Sequence, residues 1–233
     1  MLRICNLVVV YSDDSTDDTV SIAESFHPRT IVIASSSRSL DKTRDKNIML
    51  ATLLHHIPRS EQNETNQHWV LAIDGDEELE PSTIPFLLDC VTANPTAYCI
   101  GLRVLYLWDT EDQVRVDGVY SRMIRPSLFR IINSAYRFLP TPFPGNLHCP
   151  NVPQELLWNR VDSSAVLRHY GYLHRSNRIA KWESNVAEHP DSEGEDYYRH
   201  CIIGDVPSLP PSTILKHAGP LTLEPISSHI PSK

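Results

Sequence analysis

Asp74-Gly75-Asp76 closes an apolar run and is followed at once by Glu77 and Glu78. Carboxylates this crowded repel one another unless a cation lies among them. Hard divalent ions such as Mg2+ or Mn2+ prefer oxygen ligands and commonly bridge to substrate phosphates. If residues 68–73 form a strand, spacing at i and i+2 delivers both aspartates to one side of its carboxyl end. Ligands of open α/β sheets collect at that end. The competing interpretation is a solvated acidic turn that caps the helix after it. A second polar cluster, Ser12-Asp13-Asp14-Ser15-Thr16-Asp17-Asp18-Thr19, follows another apolar run. Asp13 stands at its start, placed to accept N–H donors from a base or the hydroxyls of a ribose. Ser15, Thr16 and Asp17 are N-cap residues for a following helix. Such caps would hold the loop that aims Asp13.

The elements that must carry these residues alternate in type. Residues 7–10, 30–34, 68–73 and 98–107 are short apolar runs rich in β-branched side chains, as expected of strands buried on both faces. Between them, residues 19–26, 42–57 and 82–92 read as helices, the first two stopped by Pro28 and Pro58. This alternation predicts an α/β layer around a mostly parallel sheet. Residues 108–233 are rich in Arg, aromatic residues and Pro and show no clean periodicity. They are expected to cover one face of the same single domain, with 1–107 as the ligand-binding half.

Composition narrows the classes. The chain has 233 residues, long enough for a large core, and its 29 acidic against 21 basic side chains leave a net charge of −8. That balance argues against a non-specific nucleic-acid binder, which needs a basic face. No apolar run approaches the ~20 residues of a membrane span, and the amino end lacks a signal-peptide cleavage site. The five cysteines are scattered, odd in number and free of C-x-x-C spacing. A disulfide framework or zinc site is therefore not expected, and a cytoplasmic location fits best.

Three segments resemble family 2 glycosyltransferases, in order and on the expected elements. They are Val8-Val9-Val10 through Asp13 to Thr19, Thr43-Arg44-Asp45-Lys46-Asn47, and Trp69 through Asp74-Gly75-Asp76-Glu77. Later segments, Leu147-His148-Cys149-Pro150 to Pro153, His169-Tyr170-Gly171-Tyr172, Arg178 to Trp182, Glu195 to His200, Gly204-Asp205 to Pro207 and His217 to Leu221, look like a bacterial subgroup. The resemblance implies the GT-A fold, a nucleotide-diphosphate-sugar donor, a Mn2+ or Mg2+ ion, and a glycan, lipid-linked or protein acceptor. Position by position, it implies that Asp13 binds the base, that Arg44 lies near base and diphosphate, and that Asp74 touches ribose or metal. Asp76 would be the main metal ligand, and His169 a further metal or diphosphate ligand. Arg178 and Lys181 would neutralise the leaving diphosphate. Tyr11-Ser12 and His148-Cys149 depart from the family's usual residues. Only six residues precede Leu7, so the family's first strand and helix are expected to be missing.

Transfer in this family inverts the anomeric centre, and an acceptor-side carboxylate removes the attacking hydroxyl's proton. Glu155 is best placed by sequence order, with Asp112 and Asp117 as competitors and His148 as an alternative base or acceptor ligand. Two rivals remain at this stage. A nucleotidyltransferase shares strand-end carboxylates but usually carries a glycine-rich phosphate loop, which 8 scattered glycines do not supply. A non-catalytic, sugar- or protein-binding relic of the same fold is the other.

Overall fold

The computed structural model describes residues 4–36, 41–63, 65–133, 135–139, 150–188, 198–216 and 218–232. Its contacts separate into two compact units, Met1–Val70 with Arg130–Leu156, and Leu71–Phe129 with Leu157–Lys233.

In the first unit, β1 (Val8–Asp13) is followed by α1 (Thr19–Glu24), β2 (Thr30–Ser35) and α2 (Lys42–His55). β1 and β2 pair in parallel, from Val8 opposite Thr30 to Asp13 opposite Ser35. The turn after β1 has Asp14 at φ 48°, a left-handed conformation that Asp tolerates better than most residues. Asp17 then accepts the Thr19 N–H at 3.0 Å in a turn just before α1, whose N-cap residue, Asp18, makes no side-chain capping bond. α2 begins where the Asp41 carboxylate accepts the Arg44 N–H at 2.9 Å. Asn47 on α2 donates to the Phe138 carbonyl and accepts the Phe138 N–H, both at 2.9 Å, and Lys46 reaches Asn151 at 2.5 Å. This helix thereby fastens two later segments of its own unit.

β3 (Trp69–Leu71) leads into the second unit, which contains β4 (Glu77–Leu79), α3 (Ile84–Ala93), β5 (Cys99–Trp108), β6 (Thr110–Arg115), β7 (Ile124–Arg130), β8 (Arg160–His169), α4 (Arg175–Glu188) and β9 (Leu223–Pro225). β5 is its axis. Its sequence, CIGLRVLYLW, alternates no polar face, and it is buried on both sides between β7, antiparallel, and β8, parallel. Asp109, at φ 63°, turns the chain into the β6 hairpin. Leu105, Leu107, Val114, Val166, Leu173 and Ile226 form the core cluster around it.

The predicted strands and helices of the first 107 residues fall within a few residues of the observed ones. The sheet itself differs from the expectation. β1 with β2 and β5 with β8 are parallel, whereas β4 with β8, β5 with β6, β5 with β7 and β6 with β9 are antiparallel. The larger sheet is mixed because β8 adds to β5 in parallel, whereas β6 and β7 add to β5, and β4 to β8, antiparallel. Beyond residue 107 the chain also holds a ten-residue strand, β8, and a fourteen-residue helix, α4, where the sequence suggests no periodicity.

Candidate active site

β4 is short, but its register builds the site. Glu77 pairs with His169 at the end of β8, and His169 also pairs with Tyr106 on β5. The Tyr170 N–H extends the ladder by donating to the Asp76 carbonyl at 2.8 Å. His169 is thus carried next to Asp76 across 92 residues of sequence. Its Nε2 lies 3.8 Å from Asp76 Oδ2, and Lys181 Nζ, from α4, lies 3.3 Å from the same oxygen. Lys181 also stands 4.7 Å above the Tyr172 ring, and the His169 ring leans on Tyr106 and Tyr172.

Gly171 makes this crowding feasible. A Cβ there would sit 2.1 Å from Asp76 Oδ2, 2.6 Å from His169 Cε1 and 2.8 Å from Lys181 Nζ. The three functional groups close over the space that any other residue would fill.

Asp74-Gly75-Asp76 is a turn between β3 and β4, not an extended strand end. The Glu77 N–H donates to the Asp74 carbonyl at 3.1 Å, and the Asp74 N–H donates to Glu77 Oε2 at 3.0 Å. The two aspartates accordingly have different neighbours. Arg125 of β7 lies 3.7 Å from Asp74 and is ion-paired to buried Glu77. Asp76 belongs to Lys181 and His169.

Burial alone would raise the Asp76 carboxyl, but His169 and Lys181 outweigh it and hold the group below the usual carboxylate range. Burial pushes His169 down to about 4, against the pull of Asp76 and with the help of Lys181 and Arg125. The imidazole is therefore neutral at pH 7, and the lysine is the cation that serves Asp76. The Gly171 N–H donates to His169 Nδ1 at 3.1 Å, which assigns the imidazole proton to Nε2. In this tautomer His169 offers Asp76 an N–H instead of a metal-ligating lone pair.

Arg178 has a different task from the one anticipated. It is 1% exposed, and each of its three nitrogens is engaged. Nε and one terminal nitrogen hold Asp205 at 2.6 and 2.7 Å, that nitrogen also holds Asp109 at 2.8 Å, and the other donates to the Tyr172 and Leu173 carbonyls. Its guanidinium also stacks on Trp108 at 4.4 Å. Arg178 is a buried anchor for α4, with no donor left for a diphosphate. Lys181 is one helical turn further along the anchored helix.

The remaining candidates are placed as follows. Asp13 ends β1 in the first unit, and its buried Oδ1 has no hydrogen-bond partner among the described residues. Arg44, at the start of α2, pairs with Asp45 at 2.8 Å and neighbours Tyr11, two residues before Asp13 on β1. Glu155 is exposed in a 3-10 turn of that same unit. Asp112 is exposed on β6, whereas Asp117 is buried and paired with Arg115 at 2.8 Å. His148 lies outside the described residues. Arg125 escapes sequence reasoning, and Gly171 and Tyr172 enter it only within the His169–Tyr172 segment, with no role of their own. A glycine directly after the His169-Tyr170 pair, in a chain with few glycines, was the available signal for Gly171.

The sequence pattern of glycosyl transferase family 2 matches residues 6–148, more than half of the chain. The chain belongs to glycosyl transferase family 2. Its α/β architecture is accordingly the GT-A fold, and the family implies a nucleotide-sugar donor and an acceptor. No curated protein matches the chain. The matched span contains Asp13, Arg44, Asp74, Asp76 and Arg125, while Glu155, His169, Arg178 and Lys181 lie beyond it.

Members of this family commonly use a divalent ion. Among the described residues no three His, Cys, Asp or Glu side chains form a metal cage. The donor set that does exist is carboxylate, with the Asp74 and Asp76 side chains 46% and 37% exposed. It fits Mg2+ or Mn2+ held by one or two carboxylates and completed by water and substrate phosphates. Among the described residues no helix is long and apolar enough to cross a membrane.

Proposed function

We propose that this glycosyltransferase moves a sugar, with inversion, from a nucleotide-diphosphate donor to a hydroxyl of a glycan, lipid-linked or protein acceptor, using Mn2+ or Mg2+. The observation that carries this reading is the meeting of Asp76, His169 and Lys181 over Gly171. A carboxylate open to solvent, an imidazole N–H and an ammonium together suit a metal-diphosphate group. They do not form a closed structural ion pair. The Asp13 Oδ1, buried without a donor among the described residues, adds support, since such an acceptor is costly unless a ligand supplies a donor.

Asp13 would accept an N–H of the base, and Arg44 would lie near base and diphosphate. Asp76, with Asp74, would hold the divalent ion, which when bound supplies charge stabilisation to the departing diphosphate. His169 Nε2–H and Lys181 would donate to phosphate oxygens. The acceptor oxygen attacks the sugar C1 as the bond from C1 to the diphosphate oxygen breaks, and the bonding pair leaves with the diphosphate. The acceptor proton passes to a carboxylate, for which Glu155 is the candidate because it is exposed and unpaired among the described residues. Asp117 is removed from contention by its ion pair with Arg115.

The test is hydrolysis and binding of a panel of nucleotide sugars in the presence of Mn2+. Wild type should hydrolyse at least one of them slowly. Asp76→Asn should lose Mn2+-dependent nucleoside diphosphate affinity by calorimetry. Unchanged affinity in a folded Asp76→Asn protein would count against this assignment.

A further inference from the structure

We propose that Lys181 is a resident counter-ion of Asp76 which must be drawn off by the donor's diphosphate, so that the divalent ion and the nucleotide bind cooperatively. This inference rests on the donor-site reading given above. Its basis is competition for one atom. Lys181 Nζ lies 3.3 Å from Asp76 Oδ2, the oxygen that His169 also faces. No other described cation is placed to serve that carboxylate. Arg125 is engaged by Glu77 and Asp74, and Arg178 is engaged by Asp205 and Asp109.

An ion arriving at Asp76 without a nucleotide would meet an ammonium already on the same oxygen. Two cations on that oxygen repel one another, so each weakens the other's hold on it. A diphosphate removes the conflict, because its oxygens attract both cations and offer the ammonium a second anionic partner. The structure lets Lys181 make that exchange through its side chain alone. Its ammonium ends a flexible four-carbon stem, and the side chain is 36% exposed. The helix that bears it is fixed by the buried Arg178–Asp205 pair, which is 2.6 Å long. The Tyr172 ring under Nζ is a neutral resting surface that holds the ammonium near Asp76 without a second ion pair. By linkage, whatever the nucleotide does to ion affinity the ion does to nucleotide affinity, and couplings of this kind are typically about 5- to 150-fold.

The experiment titrates the full chain with Mn2+, following the free aquo ion by electron paramagnetic resonance. It is run alone and with saturating UDP or GDP, corrected for Mn2+ bound by the nucleotide itself. Lys181→Met should bind Mn2+ alone about tenfold more tightly than wild type, since the competing charge is gone. Its nucleotide-dependent gain in Mn2+ affinity should shrink several-fold. Lys181→Arg, which restores the cation, should return both quantities toward wild type. A simple loss of a phosphate contact would lower nucleotide affinity in Lys181→Met but would leave its Mn2+-alone affinity unchanged. Equal Mn2+ affinity in wild type and a folded Lys181→Met, or an undiminished nucleotide gain, overturns the proposal. If neither nucleotide binds wild type, the donor-site reading fails. The Mn2+-alone comparison then still decides whether Lys181 guards Asp76.

Discussion

Replacing Gly171 by Ala perturbs the site through one methyl group. Gly171 does not have a left-handed φ, so alanine can adopt its backbone conformation, and the whole effect comes from contact. The new Cβ would lie 2.1 Å from Asp76 Oδ2, while real Cβ atoms almost never come within 3.0 Å of a neighbour. The carboxylate must therefore retreat by roughly 1 Å, and His169 and Lys181 must give way as well. The affected atoms are side-chain ends, so the fold should survive at an overpacking cost of about 1–3 kcal/mol. The chemistry should suffer far more, because a displacement of about 1 Å at a reacting centre costs on the order of a hundredfold in rate. Nucleotide-sugar hydrolysis with Mn2+ should fall by about that factor, with weaker Mn2+-dependent nucleoside diphosphate binding by calorimetry and a retained circular dichroism spectrum. A folded Gly171→Ala protein with wild-type turnover and affinity would refute the idea that these three groups act together over this glycine.

Asp205→Asn removes the charge that holds buried Arg178, and urea denaturation should show a loss of about 3–5 kcal/mol, as for other buried pairs broken on one side. A loss below about 1 kcal/mol would mean that α4 is held by other contacts. His169 gives a pH signature. Its folded-state pKa of about 4 lies below the ordinary 6.5, so the stability it contributes is complete above 6.5 and is lost as pH falls from 6.5 toward 4. That loss is on the order of 3 kcal/mol, and His169→Gln should flatten the stability curve across this window. An unchanged slope in the variant would show that the imidazole protonates freely. Glu155→Gln should leave nucleoside diphosphate affinity intact and slow transfer by about 10²–10⁴, the usual contribution of a general base. Undiminished transfer would move the role to His148 or Asp112.

Much of the first half was legible because its signals are local. Apolar runs bounded by Asp, Ser and Pro located β1, α1, β2, α2, β3 and α3, since strand burial, capping and proline exclusion act over a few residues. The same local order put Asp13 at the end of β1 and Asp74 and Asp76 after β3. It did not reveal that residues 74–77 close into a turn through reciprocal contacts between Asp74 and Glu77. An alternating strand pattern and a turn of polar residues look alike until the ladder partner is known. β8 and α4 went unrecognised for a related reason. β8 carries its buried positions among Arg, Asp and Ser residues, and α4 buries an arginine where helical periodicity looks for an apolar side chain.

The sequence alone therefore determined the α/β class, the family and the acidic residues able to meet a cation, all of which depend on composition and short-range order. Only the tertiary structure decided which partners those residues have. Asp76 faces Lys181 and His169 because β4 pairs with β8 across about ninety residues of chain, a register set by the packing of β5. The same packing diverted Arg178 into the core, since Asp109 and Asp205, far apart in the sequence, both meet it there. Long-range pairing fixes such choices, and no window of sequence contains both partners.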